Sequence, residues 1–197
     1  MQIIFYTDHK TEEFSLKNNE IFPVSPERCP FKDCCMPVKL EKHGYYKRFF
    51  ISKDFTGVLY IRRYICPICG RTVSMLPYFC ISYFQYSALE ILNIIYELYH
   101  GGVSLEKLIK KTKESLPYIE RRHVNFYRKR IIKNRKLIQY GLNLMSPEFI
   151  IMGIIPEDQV WVRKFLETVY DLRTPAFLVD FSKLTGKSFM TYQNVTV

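Results

Sequence analysis

Five of the chain's six cysteines fall into two short knuckles. Cys66-Pro67-Ile68-Cys69-Gly70 leaves two residues between its thiols, the spacing with which a chain grips one side of a tetrahedral Zn²⁺. Gly70 lets the backbone turn sharply behind the second sulphur, where a Cβ would obstruct. The matching half is Cys29-Pro30-Phe31-Lys32-Asp33-Cys34-Cys35. Cys29 to Cys34 leaves four intervening residues, within the range of structural zinc knuckles, whereas Cys29 to Cys35 leaves five. The expected ligands are therefore Cys29, Cys34, Cys66 and Cys69, with Cys35 as the alternative to Cys34. No βαβ pattern surrounds the CxxC, which argues against a redox motif. Cys80, inside Tyr78-Phe79-Cys80-Ile81, reads as a small core residue. His43 reads as a structural or phosphate-contacting residue, since four thiols already complete a zinc site.

The second kind of chemistry is cationic. The net charge of +10 is concentrated in two blocks. Residues 32–75 carry nine Lys/Arg against three Asp/Glu, and residues 106–136 carry twelve against three. Two basic blocks in a slightly acidic frame point to a polyanionic partner. In the first block, Tyr45-Tyr46-Lys47-Arg48-Phe49 and Tyr60-Ile61-Arg62-Arg63-Tyr64 interleave rings with cations. Lys47, Arg48, Arg62 and Arg63 suit nucleic-acid contacts. The same alternation also describes a sheet with one packed and one solvated face. In the second block, Val124, Tyr127, Ile131 and Ile138 share one stripe of a helical wheel. Arg122, Lys129, Lys133 and Lys136 take the opposite stripe.

These groups need elements to position them. Ile3–Tyr6 reads as a short leading strand. Val38–Ser52, Val58–Ile65 and Thr72–Leu76 are rich in aromatic and branched residues and read as three antiparallel strands. Asp54-Phe55-Thr56-Gly57 turns the first into the second, and Pro77 stops the third. From Ser87 the period becomes helical, through Leu89, Leu92, Ile95, Tyr96 and Tyr99, until Gly101-Gly102. Ser104 caps a short helix over Leu105–Lys113. Pro117 opens a long basic helix running to about Tyr140, with Gly141 and Pro147 closing it. Another helix spans Glu157–Tyr170, and a less regular stretch follows around Phe177, Leu178, Val179 and Phe181.

Other chemistries lack their residues. Leu184-Thr185-Gly186-Lys187-Ser188 imitates the end of a phosphate-binding loop, but Phe181 stands where the first glycine is required. Glu167, Asp171 and Asp180 have no strand context that would build a two-metal site. No nucleophile elbow and no metal-binding His pair occurs. No apolar run reaches membrane length, and the start MQIIFYTDHKTEEF lacks a basic n-region. A cytoplasmic, nucleoid-associated protein with no membrane partner and no enzymatic activity is expected.

A resemblance rests on several of these motifs together. They are Cys29-Pro30 with Cys34, Leu40-x-x-His43-Gly44-Tyr45-Tyr46-Lys47-Arg48, Arg63-x-x-Cys66-x-x-Cys69-Gly70-Arg71-Thr72 and Leu76-Pro77-x-Phe79. Over residues 29–87 the chain resembles an uncharacterised transposon-associated bacterial family, similar to the zinc-ribbon front end of insertion-sequence transposases. The resemblance implies DNA recognition. It does not imply catalysis, because the chain is too short to add a ribonuclease-H-like domain after the ribbon and helices. The expected fold class is α+β: a zinc ribbon built on a three-stranded antiparallel sheet, then a helix-turn-helix-like helical domain. The expected divisions are a leading strand and loop over 1–27, the ribbon over 28–80, the helical domain over 85–146 and a helical tail over 147–197. The expected partner is double-stranded DNA. The alternatives are an adaptor docking to a transposase or polymerase, and a DNA-binding subunit of a transposase or nuclease.

Overall fold

A computed structural model describes residues 1–146, 148–149 and 155–191. The fold is α+β, with four strands and six helices among those residues. Strands β2 (Glu41–Ile51) and β3 (Thr56–Ile65) form the expected hairpin, and β4 (Thr72–Pro77) runs antiparallel to β3. The sheet is not three-stranded and wholly antiparallel, however. The leading strand β1 (Gln2–Phe5) pairs in parallel with β4, so the order is β1-β4-β3-β2 and the sheet is mixed. The partner of an isolated four-residue strand lies some seventy positions away, and no local pattern reveals it.

Side chains alternate across this sheet, and its two faces are covered differently. Phe50, Leu59, Ile61 and Leu76 are buried on one face, with Cys80 and Val179 in the same cluster. On the other face, Tyr45, Arg62 and Tyr64 lie under the segment from the 3₁₀ turn Thr11–Ser15 to Pro23. Phe14 and Phe22 meet edge to face there at 5.3 Å, Phe22 reaches Tyr45, and the Tyr64 hydroxyl donates to the Pro23 carbonyl at 2.9 Å. At Gly44, whose φ is +71°, β2 slips its register between Lys42 and Tyr45.

The helices build a second core. Ser87 and Ser104 cap α1 (Ala88–His100) and α2 (Leu105–Thr112), their hydroxyls accepting from the Leu89 and Lys107 amides. The long basic helix expected from Pro117 to Tyr140 is two helices. Helix α3 (Arg121–Lys133) begins at the cap Glu120, and α4 (Arg135–Met145) follows a break at Asn134. Asn134 is fully buried, and its amide donates to the Phe189 and Thr191 carbonyls at 2.8 and 2.9 Å. Those acceptors lie more than fifty residues ahead, so helical periodicity carries no trace of the break.

Helix α5 (Asp158–Asp171) matches its expected span, but the less regular stretch after it is a helix, α6 (Thr174–Thr185). Pro175 opens α6 and Gly186 ends it in a left-handed conformation. Phe177, Leu178, Val179 and Phe181 are all buried, which leaves α6 no clean apolar stripe to read. Trp161 stacks on Phe165, and Phe165, Phe177 and Phe189 close the centre. Among the described residues, no helix is long and apolar enough to cross a membrane.

Gly141 does not terminate a helix. It lies inside α4, where a Cβ would overlap the buried Phe181 ring and stand 3.0 Å from the Thr185 methyl. In an exposed helix, Gly→Ala gains about 1 kcal/mol of propensity. Here overpacking costs about 1–3 kcal/mol and reverses the sign. Gly141→Ala is therefore expected to lower the urea midpoint; a raised midpoint would show that α4 and α6 are not packed at this position.

Candidate metal centre and nucleic-acid interface

The two knuckles converge although their cysteines are some thirty to forty residues apart. The Sγ atoms of Cys29, Cys34, Cys66 and Cys69 all lie within 4.8 Å of one another. Cys29 and Cys69 are 3.8 Å apart, and Cys34 and Cys66 are 4.0 Å apart. A tetrahedron with Zn–S bonds of about 2.3 Å has S···S edges of about 3.8 Å, so these sulphurs already stand at ligand spacing. The β3–β4 turn supplies one pair, and the Cys66 and Gly70 amides donate to the Arg71 and Cys66 carbonyls across it. Gly70 has φ +68°, as its place behind Cys69 requires. The other knuckle is closed by Cys29 N–H to the Met36 carbonyl and Cys34 N–H to the Phe31 carbonyl, each at 2.9 Å.

The cluster contains Cys34 and leaves Cys35 out. Cys35 is exposed at φ +47°, its thiol 3.1 Å from the Lys32 carbonyl and 3.3 Å from the Phe31 carbonyl. Cys80 is free and buried in the sheet core. Burial pushes the Cys29 thiol upward, whereas hydrogen bonding from Arg71 pulls Cys69 down toward the thiolate. Arg71 is steadied by Asp33 at 2.8 Å and by the Phe31 ring at 4.1 Å. This outer contact keeps a cation beside a candidate ligand sulphur. Among the described residues, no other set of His, Cys, Asp or Glu gathers in this way. Glu167 is engaged by His100 and Lys164, while Asp171 and Asp180 are exposed on separate helices.

The cations divide into exposed and buried. Lys47 is exposed on β2. Arg48 is half-buried and donates to the Ile81 and Phe84 carbonyls. Arg62 is only 5% exposed, its guanidinium between the Tyr45 and Tyr64 rings at 4.8 and 5.5 Å. Arg63 is half-buried on the opposite face of β3. On α3, Val124, Tyr127 and Ile131 are buried, while Arg122, Lys129 and Lys133 are exposed. Lys136 is exposed as well, but on α4 beyond the break at Asn134. Ile138 is buried on α4.

Sequence reasoning passed over three features of this surface. Phe126, 38% exposed, stands in the stripe between Arg122 and Lys129, as its spacing of four and three residues dictates. Lys110 and Lys113 of α2 and its end face Arg121 and Arg122 across an open groove of about 560 Å³, with Glu106 and Glu120 on its walls. The third is stacking. Alternation cannot distinguish Arg62, held between rings, from a solvated cation such as Lys47.

No family model, curated protein or solved structure matches the chain.

Removing a ligand sulphur should discriminate within the first knuckle. Protein purified without added metal is expected to carry about one equivalent, by elemental analysis. Cys34→Ser and Cys66→Ser should lose it and become protease-sensitive over residues 29–80, while Cys35→Ser keeps it. Retention by Cys34→Ser together with loss by Cys35→Ser would exchange their roles.

Proposed function

We infer that this chain is a zinc-stapled protein that binds double-stranded DNA and has no catalytic activity of its own. The observation that carries the reading is the split character of α3. Val124, Tyr127 and Ile131 anchor it, and Arg122, Lys129 and Lys133 project from its opposite stripe. An anchored helix with one cationic face is the element that enters a major groove in helix-turn-helix proteins. The groove with Lys110, Lys113 and Arg121 adds positive charge at the N-terminal end of α3, where helix amides also favour anions. The eight residues between α2 and α3 exceed the usual turn, so the motif is helix-turn-helix-like in role rather than in connection.

Zinc is the metal of choice for four thiolates at tetrahedral spacing, a site with no open position for catalysis. The transposon-associated reading rests on the motifs of residues 29–87 and assigns the ribbon to backbone positioning. A second reading has its own observation. Ile68 and Met36, 60% and 44% exposed, form an apolar tip beside the cysteines. That tip suits an adaptor docking to a transposase, nuclease or polymerase subunit.

The two readings separate on salt. Each phosphate contact contributes about 0.9 to the slope of log K against log salt concentration. Lys129→Ala/Lys133→Ala is expected to weaken duplex binding and lower that slope by about two, with thermal stability nearly unchanged. Unchanged affinity and slope would favour the adaptor. Tyr127→Ala should do the reverse, destabilising the fold by about 3 kcal/mol through a core cavity. Supercoiled DNA incubated with the protein and Mg²⁺ or Mn²⁺ should stay intact; nicking that a carboxylate substitution abolishes would make the chain an enzyme.

A further inference from the structure

The hairpin face that carries Lys47 is only half covered. Strand register puts Tyr45 opposite Arg62, Lys47 opposite Tyr60 and Phe49 opposite Val58, all on the face away from Arg48 and Phe50. The Tyr45–Arg62 end lies beneath Phe22. Toward the hairpin tip the cover stops, leaving Phe49 45% and Val58 38% exposed. Lys47 is exposed between Tyr45 and Phe49, and Lys17 reaches across to stand 5.2 Å from the Tyr60 ring centre. From Tyr45 to Thr56, no strand residue on this face is acidic.

An exposed Phe49 diagonally beside a half-buried Tyr60, with lysines at hand, has a specific physical use on a two-stranded sheet. A base offers a flat π-face that an aromatic ring can stack on, and the phosphates on either side need cations. In a duplex those π-faces are occupied by neighbouring bases, so such a surface selects unpaired nucleotides. We propose that Lys17, Lys47, Phe49 and Tyr60 form a binding surface for single-stranded nucleic acid, separate from the duplex-binding stripe of α3. Phe49 and Tyr60 stack on bases, and the two lysines neutralise the intervening phosphates. A protein that engages a duplex through a helix and an unpaired strand through its hairpin is suited to a junction between the two.

Fluorescence anisotropy on the full-length, metal-loaded chain tests this with a labelled mixed-sequence single strand and the same sequence as a blunt duplex. Phe49→Ala and Tyr60→Ala should each weaken single-strand binding roughly tenfold, leaving duplex affinity unchanged. Phe49→Tyr and Tyr60→Phe, which keep the rings, should bind like the parent. Metal content and melting temperature identify any variant that fails to fold, and the ring-keeping pair then decides. Lys129→Ala/Lys133→Ala should show the opposite selectivity. If the parent fails to bind the single strand, or the alanine variants bind it as well as the parent, the proposal falls. Self-association by sedimentation that Phe49→Ala abolishes, with no oligonucleotide binding, would assign the patch to a second copy and also overturn it. Loss of duplex binding alone would overturn the α3 reading and leave this one standing.

Discussion

Four sulphurs within 4.8 Å of one another make the constraint on which the sheet end of the molecule depends. Their thiolate forms repel at that distance, and only a cation at the centre turns the repulsion into a crosslink. The crosslink spans roughly thirty to forty residues of chain. The entropy of closing a loop of that length is a heavy cost for a small sheet, and a metal offsets it in one step. Once closed, the site anchors the start of β2 through the first knuckle and the turn from β3 to β4 through the second. Everything the hairpin presents, including its uncovered face, is held from that end.

The cationic surface follows a similar economy. Net charge counts every arginine alike, but the fold does not use them alike. Arg62 lies between two tyrosines, Arg130 is buried against Phe126, and Arg135 stacks on Trp161 while pairing with Asp158. A planar, weakly hydrated guanidinium tolerates such burial, whereas an ammonium keeps its water. Lysines 47, 129, 133 and 136 accordingly remain outside. The cationic surface left open to solvent is thus more lysine-rich than the composition suggests.

How much of this was legible follows from the range of each interaction. The convergence of the knuckles, the hairpin, the serine cap of α2 and the span of α5 are written locally and agree with the structure, whereas the cap that Ser87 gives α1 is not read from the pattern. The choice of Cys34 came from spacing alone and agrees with the assembled cluster. The parallel pairing of β1 with β4, the interruption at Asn134 and the clasp of Gly141 against Phe181 all depend on residues far away in sequence. Helix α6 is hidden for a different reason, since a helix contacted on several sides has no polar face to set its period. Phe126 shares the wheel stripe of Arg122 and Lys129, but a single ring among cations leaves no charge pattern to mark it.

The contacts of Asn134 also bear on the order in which the molecule is made. Chains emerge from synthesis N-terminus first, and units can fold as they appear. The metal site is complete once Cys69 has emerged, and of the last two helices only Val179 is buried in the sheet core among the described residues. The helical core instead includes Phe189 and Met190, and the Asn134 amide has no acceptors until the 189–191 segment arrives. The half that holds the four cysteines can therefore close while the helical half still waits for residues 189–191, making closure of the sheet end the early event and helix docking the late one.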